Sequence, residues 1–220
     1  MNRPYNRPWA CARHRGVLLK EVRCRYFEIG MGRTATRSVY VAFKSFGLKA
    51  IHGSGGCTLC INDAIEKMEA GRIDLMLYET YEYCGHMPSF HWRQLAEERQ
   101  DSKFILTLRP VDQWLKSAKG KIGTGGRADP RRGNMLHKRH YGSETPTKEQ
   151  LREGFIRHSS EVQEYFAREP ERLLVLDVFS MKDLVLWKLI ADFVGGTPPE
   201  GKFPRRTTPI KVFNPENWDG

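Results

Sequence analysis

The stretch Phe27-Glu28-Ile29-Gly30-Met31-Gly32-Arg33-Thr34-Ala35-Thr36-Arg37-Ser38 constrains this chain more than any other. Cys24 to Ile29 is a short apolar-rich run that ends on glycine and reads as a strand. Beyond the loop, Val39, Ala42, Phe43 and Phe46 recur at i, i+3, i+4 and i+7, which is one buried helical face. Gly47 stands where a helix C-cap belongs. Strand, glycine-containing loop and helix together point backbone N–H groups at an anion, and the helix dipole favours the same charge. Arg33 adds a permanent cation with several donors, and Thr34, Thr36 and Ser38 add hydroxyls. This is not a Walker A loop, because no lysine precedes the hydroxyl of Thr36; Ala35 stands there. It is not a dinucleotide fingerprint either, since the third glycine is missing. Two glycines also serve a tight strand-to-helix turn that binds nothing.

The rest of the chain alternates. Leu48 to His52 reads as a second strand and Thr58 to Ala70 as a helix closed by Gly71. Ile73 to Tyr78 reads as a third strand, Pro88 to Arg99 as a helix, Lys103 to Leu108 as a fourth strand and Pro110 to Ala118 as a short helix. Residues 119–146, basic and glycine-rich, break the pattern and read as a loop insertion. Thr145-Pro146 then predicts a helix start, with threonine as N-cap and proline at N1, for a helix running to about Arg168. Leu173 to Asp177 predicts a fifth strand, and Leu184 to Val194 a last helix stopped by Gly195-Gly196. Alternating strands and helices imply parallel strands joined by right-handed crossovers. The expected organisation is a basic arm at 1–22, one α/β domain at 23–207 with the insertion at 119–146, and a tail at 208–220.

A length of 220 residues fits one such domain. The net charge of +10 draws polyanions: nucleic acid, anionic membrane, or small phosphorylated and sulfated ligands. A nucleic-acid module has the charge, but here the aromatics fall at core positions rather than along a basic stripe. No apolar run is long enough to span a membrane, and the basic start has no secretory pattern. Five cysteines, an odd count, argue for reduced thiols and a cytoplasmic setting. Cys57-Thr-Leu-Cys60, with Cys84 and His86 downstream, has zinc-ligand residue types, but one CxxC without a second close pair is weak evidence.

The loop Gly30 to Ser38 resembles the 5′-phosphosulfate loop of sulfotransferases that use 3′-phosphoadenosine 5′-phosphosulfate (PAPS). It is most similar to a bacterial branch with Gly-x-Gly-Arg-Thr-Gly-Thr-x-Ser, where Ala35 replaces a glycine. Lys103-Phe-Ile-Leu-Thr-Leu-Arg109-Pro-Val-Asp-Gln-Trp114-Leu-Lys-Ser117 resembles the family's 3′-phosphate segment. There an arginine ends a strand and a serine follows eight residues later, two helical turns on. His158-Ser-Ser-Glu161-Val-Gln-Glu-Tyr165-Phe166 and Arg172 to Val178 are similar to its late helix and strand. The resemblance spans roughly Tyr26 to Thr207. It implies a single P-loop-type α/β domain of three layers, with a central, mainly parallel sheet of about five strands and helices on both faces. It also implies a donor site made of Gly32, Arg33, Thr34, Ala35, Thr36, Arg37, Ser38, Arg109 and Ser117. The cofactor implied is PAPS, leaving adenosine 3′,5′-bisphosphate, with no metal.

Sulfuryl transfer to an alcohol or amine is in-line. Catalysis is mostly positioning and electrostatics, plus a base for the acceptor's proton. Arg33 is the candidate to stabilise the leaving 5′-phosphate. In relatives the base lies beyond the third strand. Here Glu79 and His86 are equal candidates, with His91 third. The basic insertion, with Arg127, Arg131, Arg132, Lys138 and Arg139, offers contacts to the nucleotide or an anionic acceptor, or is simply a solvated loop. Arg205-Arg206 corresponds to a basic segment that reaches the 3′-phosphate in some relatives. The expected partner is a small-molecule or glycan acceptor rather than nucleic acid. A catalytically inactive nucleotide-binding relative would keep the same donor residues, and the sequence leaves the oligomeric state open.

Overall fold

The protein is seen in a computed structural model that describes residues 23–53, 66–67, 70–72, 81–118 and 130–205. Within these the chain runs β1 (Tyr26–Glu28), α1 (Thr36–Ser45), β2 (Ala50–His52), β3 (Tyr83–Gly85), α2 (Trp92–Glu98) and β4 (Lys103–Leu108). It continues through α3 (Val111–Ala118), α4 (Pro130–Tyr141), α5 (Lys148–Tyr165), β5 (Leu173–Asp177) and α6 (Asp183–Val194). The strands form a parallel five-stranded sheet in the order β2-β3-β1-β4-β5. Successive strands lie first to one side of β1 and then to the other. The loop after β1 therefore leaves the sheet at its topological switch point, where open α/β sheets bind ligands.

Side-chain alternation along the strands builds two cores. Phe27, Phe104 and Leu106 pack with Trp92 and Leu95 of α2 and Val162 of α5. Tyr26, Tyr83 and Ile105 point the other way, onto Val39, Ala42 and Phe43 of α1 and Leu186, Trp187 and Ile190 of α6. Helices thus cover both faces, as a parallel sheet requires. The chain is a single P-loop-type α/β domain.

Several boundaries differ from the sequence reading. The strand expected at Ile73 to Tyr78 lies outside the described residues, as does most of the helix expected at Thr58 to Ala70. The strand beside β1 is Tyr83–Gly85, within the segment read as a loop. Three residues are too short a run to show a periodic pattern. The basic insertion contains a helix, α4, where a loop was expected. Its glycines are concentrated before Pro130, and its buried contact is Tyr141, packed with Trp114 and Phe155, rather than an apolar stripe. Gly154 of α5 makes that contact possible, because a Cβ there would lie 2.7 Å from the His140 carbonyl and from Tyr141 Cδ1. α5 begins two residues later than expected. Thr147, not Thr145, is the N-cap, because Thr147 Oγ1 accepts from the Gln150 N–H while Gln150 Oε1 accepts from the Thr147 N–H. The spacing Thr-x-x-Gln is a capping box, and it outranks the Thr-Pro signal.

Trp114 of α3 joins this third core to the loop. Its ring stacks on Phe155 at 4.4 Å between centroids, and its indole N–H donates to the Gly32 carbonyl at 2.9 Å. Trp114→Phe keeps most of the packing and deletes the donor. The expected result is a loss of about 1 kcal/mol in urea unfolding, together with weaker anion binding by the loop. Unchanged stability and binding would show that the indole bond does not hold the loop.

Candidate functional site

The loop turns sharply because its backbone is forced to. Arg33 and Ala35 both take positive φ, 77° and 74°. Such a conformation costs a non-glycine residue about 1–2 kcal/mol. Ala35 is the N-cap of α1 and offers no side-chain acceptor. A helix start without a side-chain cap is the kind of place that suits an anion. Gly30 cannot be anything larger, since a Cβ there would lie 1.9 Å from Thr107 Oγ1.

The predicted donor residues converge. Arg33 is exposed, and its Nε–H donates to Ser117 Oγ at 3.1 Å. Arg109, at the end of β4, donates from Nη1 to the Arg33 carbonyl at 3.2 Å. Its guanidinium lies 4.1 Å from the centre of the Phe179 ring. Burial, and then the charge of Arg33, hold the Arg109 pKa below its usual value. Two guanidiniums and a hydroxyl from three segments thus meet beside the helix start, a set that suits phosphate or sulfate oxygens. Thr36 and Ser38 are buried at the start of α1. Thr36 Oγ1 pairs with His52 Nε2 at 2.9 Å. Thr34 turns inward: its hydroxyl donates to the Met31 carbonyl at 2.6 Å and contacts Thr107 Oγ1 at 2.6 Å. Of the predicted set, Thr34 therefore shapes the loop from below. Gly32 and Arg37 lie in the loop and first helical turn, partly buried.

Of the candidate bases, Glu79 lies outside the described residues. His86 follows β3 with φ 74° and ψ −58°, an uncommon conformation for a residue with a side chain. Its N–H donates to Glu28 Oε2 at 3.1 Å. Its ring stacks parallel on His52 at 5.5 Å, and a Cβ on Gly32 would lie 3.5 Å from its Cε1. His86 is therefore beside the phosphate loop. His91 is only 5% exposed and is the N-cap of α2. Arg139 donates to the Phe90 carbonyl, which ties α4 to the 3-10 turn Met87–Phe90 that follows His86. Arg205 is engaged with Asp183 and with the Val178 and Met181 carbonyls. It holds the start of α6, while Arg206, Arg127, Cys57 and Cys60 lie outside the described residues. Cys84 is a buried thiol in β3, and no cluster of metal-ligating side chains occurs among the described residues.

Two groups of residues escaped the sequence reading. Glu28 is fully buried at the end of β1, and burial pushes its carboxyl up to about 8. A lone acid inside the apolar run Tyr26 to Ile29 was the available signal. Histidines form the second group. His140 packs at a tilt against Phe90 at 4.3 Å between centroids and meets His158 edge-on at 5.6 Å. The His158 ring nitrogen Nε2 lies 2.8 Å from the Ile29 carbonyl, so it carries the proton. These histidines are scattered in sequence, and only folding gathers them.

A family model for the sulfotransferase domain matches residues 26–211, and the chain belongs to that family. No curated protein matches the chain in sequence. Among the described residues no helix is long and apolar enough to cross a membrane.

Burial holds His52 and His91 down to about 3 and His158 to about 4, with His140 well below its usual value. The stability these neutral rings contribute is complete above about 6.5 and is lost as pH falls toward 3–4. Each removes up to about 1.4 kcal/mol per pH unit in that window. Glu28 acts in the opposite sense: its contribution is complete below 4.5 and lost as pH rises through about 8. The melting temperature is expected to fall steeply from pH 6.5 to 4.5 and more gently toward pH 8. A flat acid limb would contradict neutral burial of the histidines.

Proposed function

We propose that this protein transfers a sulfuryl group from PAPS to a hydroxyl or amine of a small-molecule or glycan acceptor. The observation that carries this reading is the meeting of Arg33, Ser117 and Arg109 at the mouth of the loop, beside His86. The backbone of Gly32 to Ser38 and the Arg33 guanidinium would hold the 5′-phosphosulfate. Arg109 and Ser117 would hold the 3′-phosphate, with Phe179 bracing the Arg109 guanidinium from its flat side. The acceptor oxygen or nitrogen attacks sulfur in line, its proton passes to a base, and the S–O bond to the nucleotide breaks. Charge then grows on the 5′-phosphate, where Arg33 and the α1 N-terminus are placed to stabilise it. His86 is the base supported by position, and Glu79 is its competitor. The donor residues supply this chemistry without a metal.

Adenosine 3′,5′-bisphosphate is expected to raise the melting temperature. Arg109→Ala should weaken its binding about tenfold to a hundredfold, the value of a charge-assisted phosphate contact. No shift at near-millimolar nucleotide would reject the donor assignment. With labelled PAPS and an acceptor panel, His86→Ala should lower kcat by about 10²–10⁴ with little change in donor KM. If Glu79→Gln does this and His86→Ala does not, the base is Glu79. Nucleotide binding without turnover on any acceptor would favour an inactive binding protein, and salt-sensitive oligonucleotide binding that ignores the nucleotide would favour a nucleic-acid module.

A further inference from the structure

Beneath the loop lies a chain of oxygen atoms whose protons can be counted. Thr34 Oγ1 lies 2.6 Å from the Met31 carbonyl oxygen and 2.6 Å from Thr107 Oγ1. Thr107 Oγ1 lies 2.9 Å from Glu28 Oε1. That makes three close O···O contacts, and each needs one proton between its oxygens. The Met31 carbonyl has none, so the Thr34 proton must serve that contact. The Thr107 proton must then serve the contact with Thr34. Nothing remains for the third contact unless Glu28 supplies it. A carboxylate has no proton to give; a carboxylic acid has one.

The remaining contacts fit the same state. The Gly30 N–H donates to Glu28 Oε1 at 3.0 Å, which a hydroxyl oxygen can accept while donating elsewhere. The His86 N–H donates to Oε2 at 3.1 Å, the carbonyl oxygen of the neutral acid. Among the described residues no countercharge is paired with Glu28. Tyr83 of β3 has its hydroxyl near Glu28, and burial and then Glu28 itself push that phenol far up, so it stays neutral. His52, stacked on His86, is held neutral by burial, and so is His158, which faces the loop from α5 through the Ile29 carbonyl. Arg33 is exposed at the loop and Arg109 is turned to Phe179 and the Arg33 carbonyl.

We propose that Glu28 is the positioning residue of the phosphate loop, and that it works as a neutral carboxylic acid at the head of a chain of donors in which Glu28 donates to Thr107, Thr107 to Thr34 and Thr34 to the Met31 carbonyl. Its burial, which raises the carboxyl to about 8, supports the same state. Ionisation removes the first proton of the chain, leaves an oxygen pair in repulsion, and puts a negative charge two residues from Gly30 in the loop. The loop's grip on an anion therefore weakens as pH rises through the value at which Glu28 ionises. That last consequence rests on the donor reading above; the protonation state does not.

The test is NMR on protein labelled with ¹³C at the glutamate carboxyls, titrated from pH 5 to pH 10. The Glu28 resonance is assigned by its loss in Glu28→Gln, or by its displacement in Thr107→Val if the first variant does not fold. Glu28 is expected at the neutral-acid position at pH 6, titrating well above the ordinary glutamate range. A Glu28 signal already at the carboxylate position at pH 6 would overturn the proposal. The second readout is affinity for adenosine 3′,5′-bisphosphate. In the native protein it should fall about tenfold per pH unit above the Glu28 transition. Glu28→Gln should bind more weakly, because an amide nitrogen must meet the Gly30 or His86 N–H, but with that pH limb gone. Parallel profiles in the two proteins would overturn the positioning role. Failure of the nucleotide to bind at any pH would count against the donor reading, while the NMR titration would still decide Glu28.

Discussion

The carboxyl group of Glu28 sits where β1 and β3 end together beside β4, and the shape of the loop depends on it. It accepts from the amides of Gly30 and His86 and meets the hydroxyl of Thr107. One group thus joins the loop, the candidate base and the strand that carries Arg109. The register makes this possible. Gly85 pairs with Glu28 and leaves the room, since a Cβ there would lie 3.4 Å from Oε2. Gly30 must be glycine for the same reason on the other side. A buried acid with no ion-pair partner is costly unless it is neutral and hydrogen-bonded, and this arrangement meets both conditions.

Above that support, the charges run the other way. Arg109 donates to the Arg33 carbonyl, and burial first and the charge of Arg33 second lower the Arg109 pKa. Proteins bring like charges together where a ligand of opposite charge will resolve them. The stacked pair His52 and His86 closes the other side of the loop, with His52 fixed by Thr36. The loop therefore lies between a cationic donor side and an aromatic, imidazole-rich side. The neutral acid below keeps the field of the arginines from being cancelled.

Much of this was legible in the sequence. The strand-loop-helix at Gly30 to Ser38 and the Arg109 to Ser117 spacing stand where they were expected, because short-range patterns encode both. Alternation also announced parallel strands, although not their order in the sheet. What was not legible depends on contacts between distant segments. Tyr83–Gly85 is a strand because β1 and β2 offer it partners on both sides, not because three residues announce it. α4 has no apolar stripe and is held by Tyr141 and the cleft at Gly154. The Thr34 hydroxyl, read as a donor toward an anion, links the Met31 carbonyl to Thr107. Glu28 was visible as an acid in an apolar run, but its role needed the register of β1 against β3 and β4. The histidines come from four separate segments, so no local pattern could have gathered them.

The central claim is that two phosphate-type groups bind here, one at the start of α1 and one at Arg109. The most direct measurement is a crystal structure of the protein with adenosine 3′,5′-bisphosphate. The 5′-phosphate is expected within hydrogen-bonding distance of the amides of residues 33–37, and the 3′-phosphate against Arg109 and Ser117. A nucleotide bound elsewhere, or one whose 3′-phosphate makes no contact with Arg109, would contradict it.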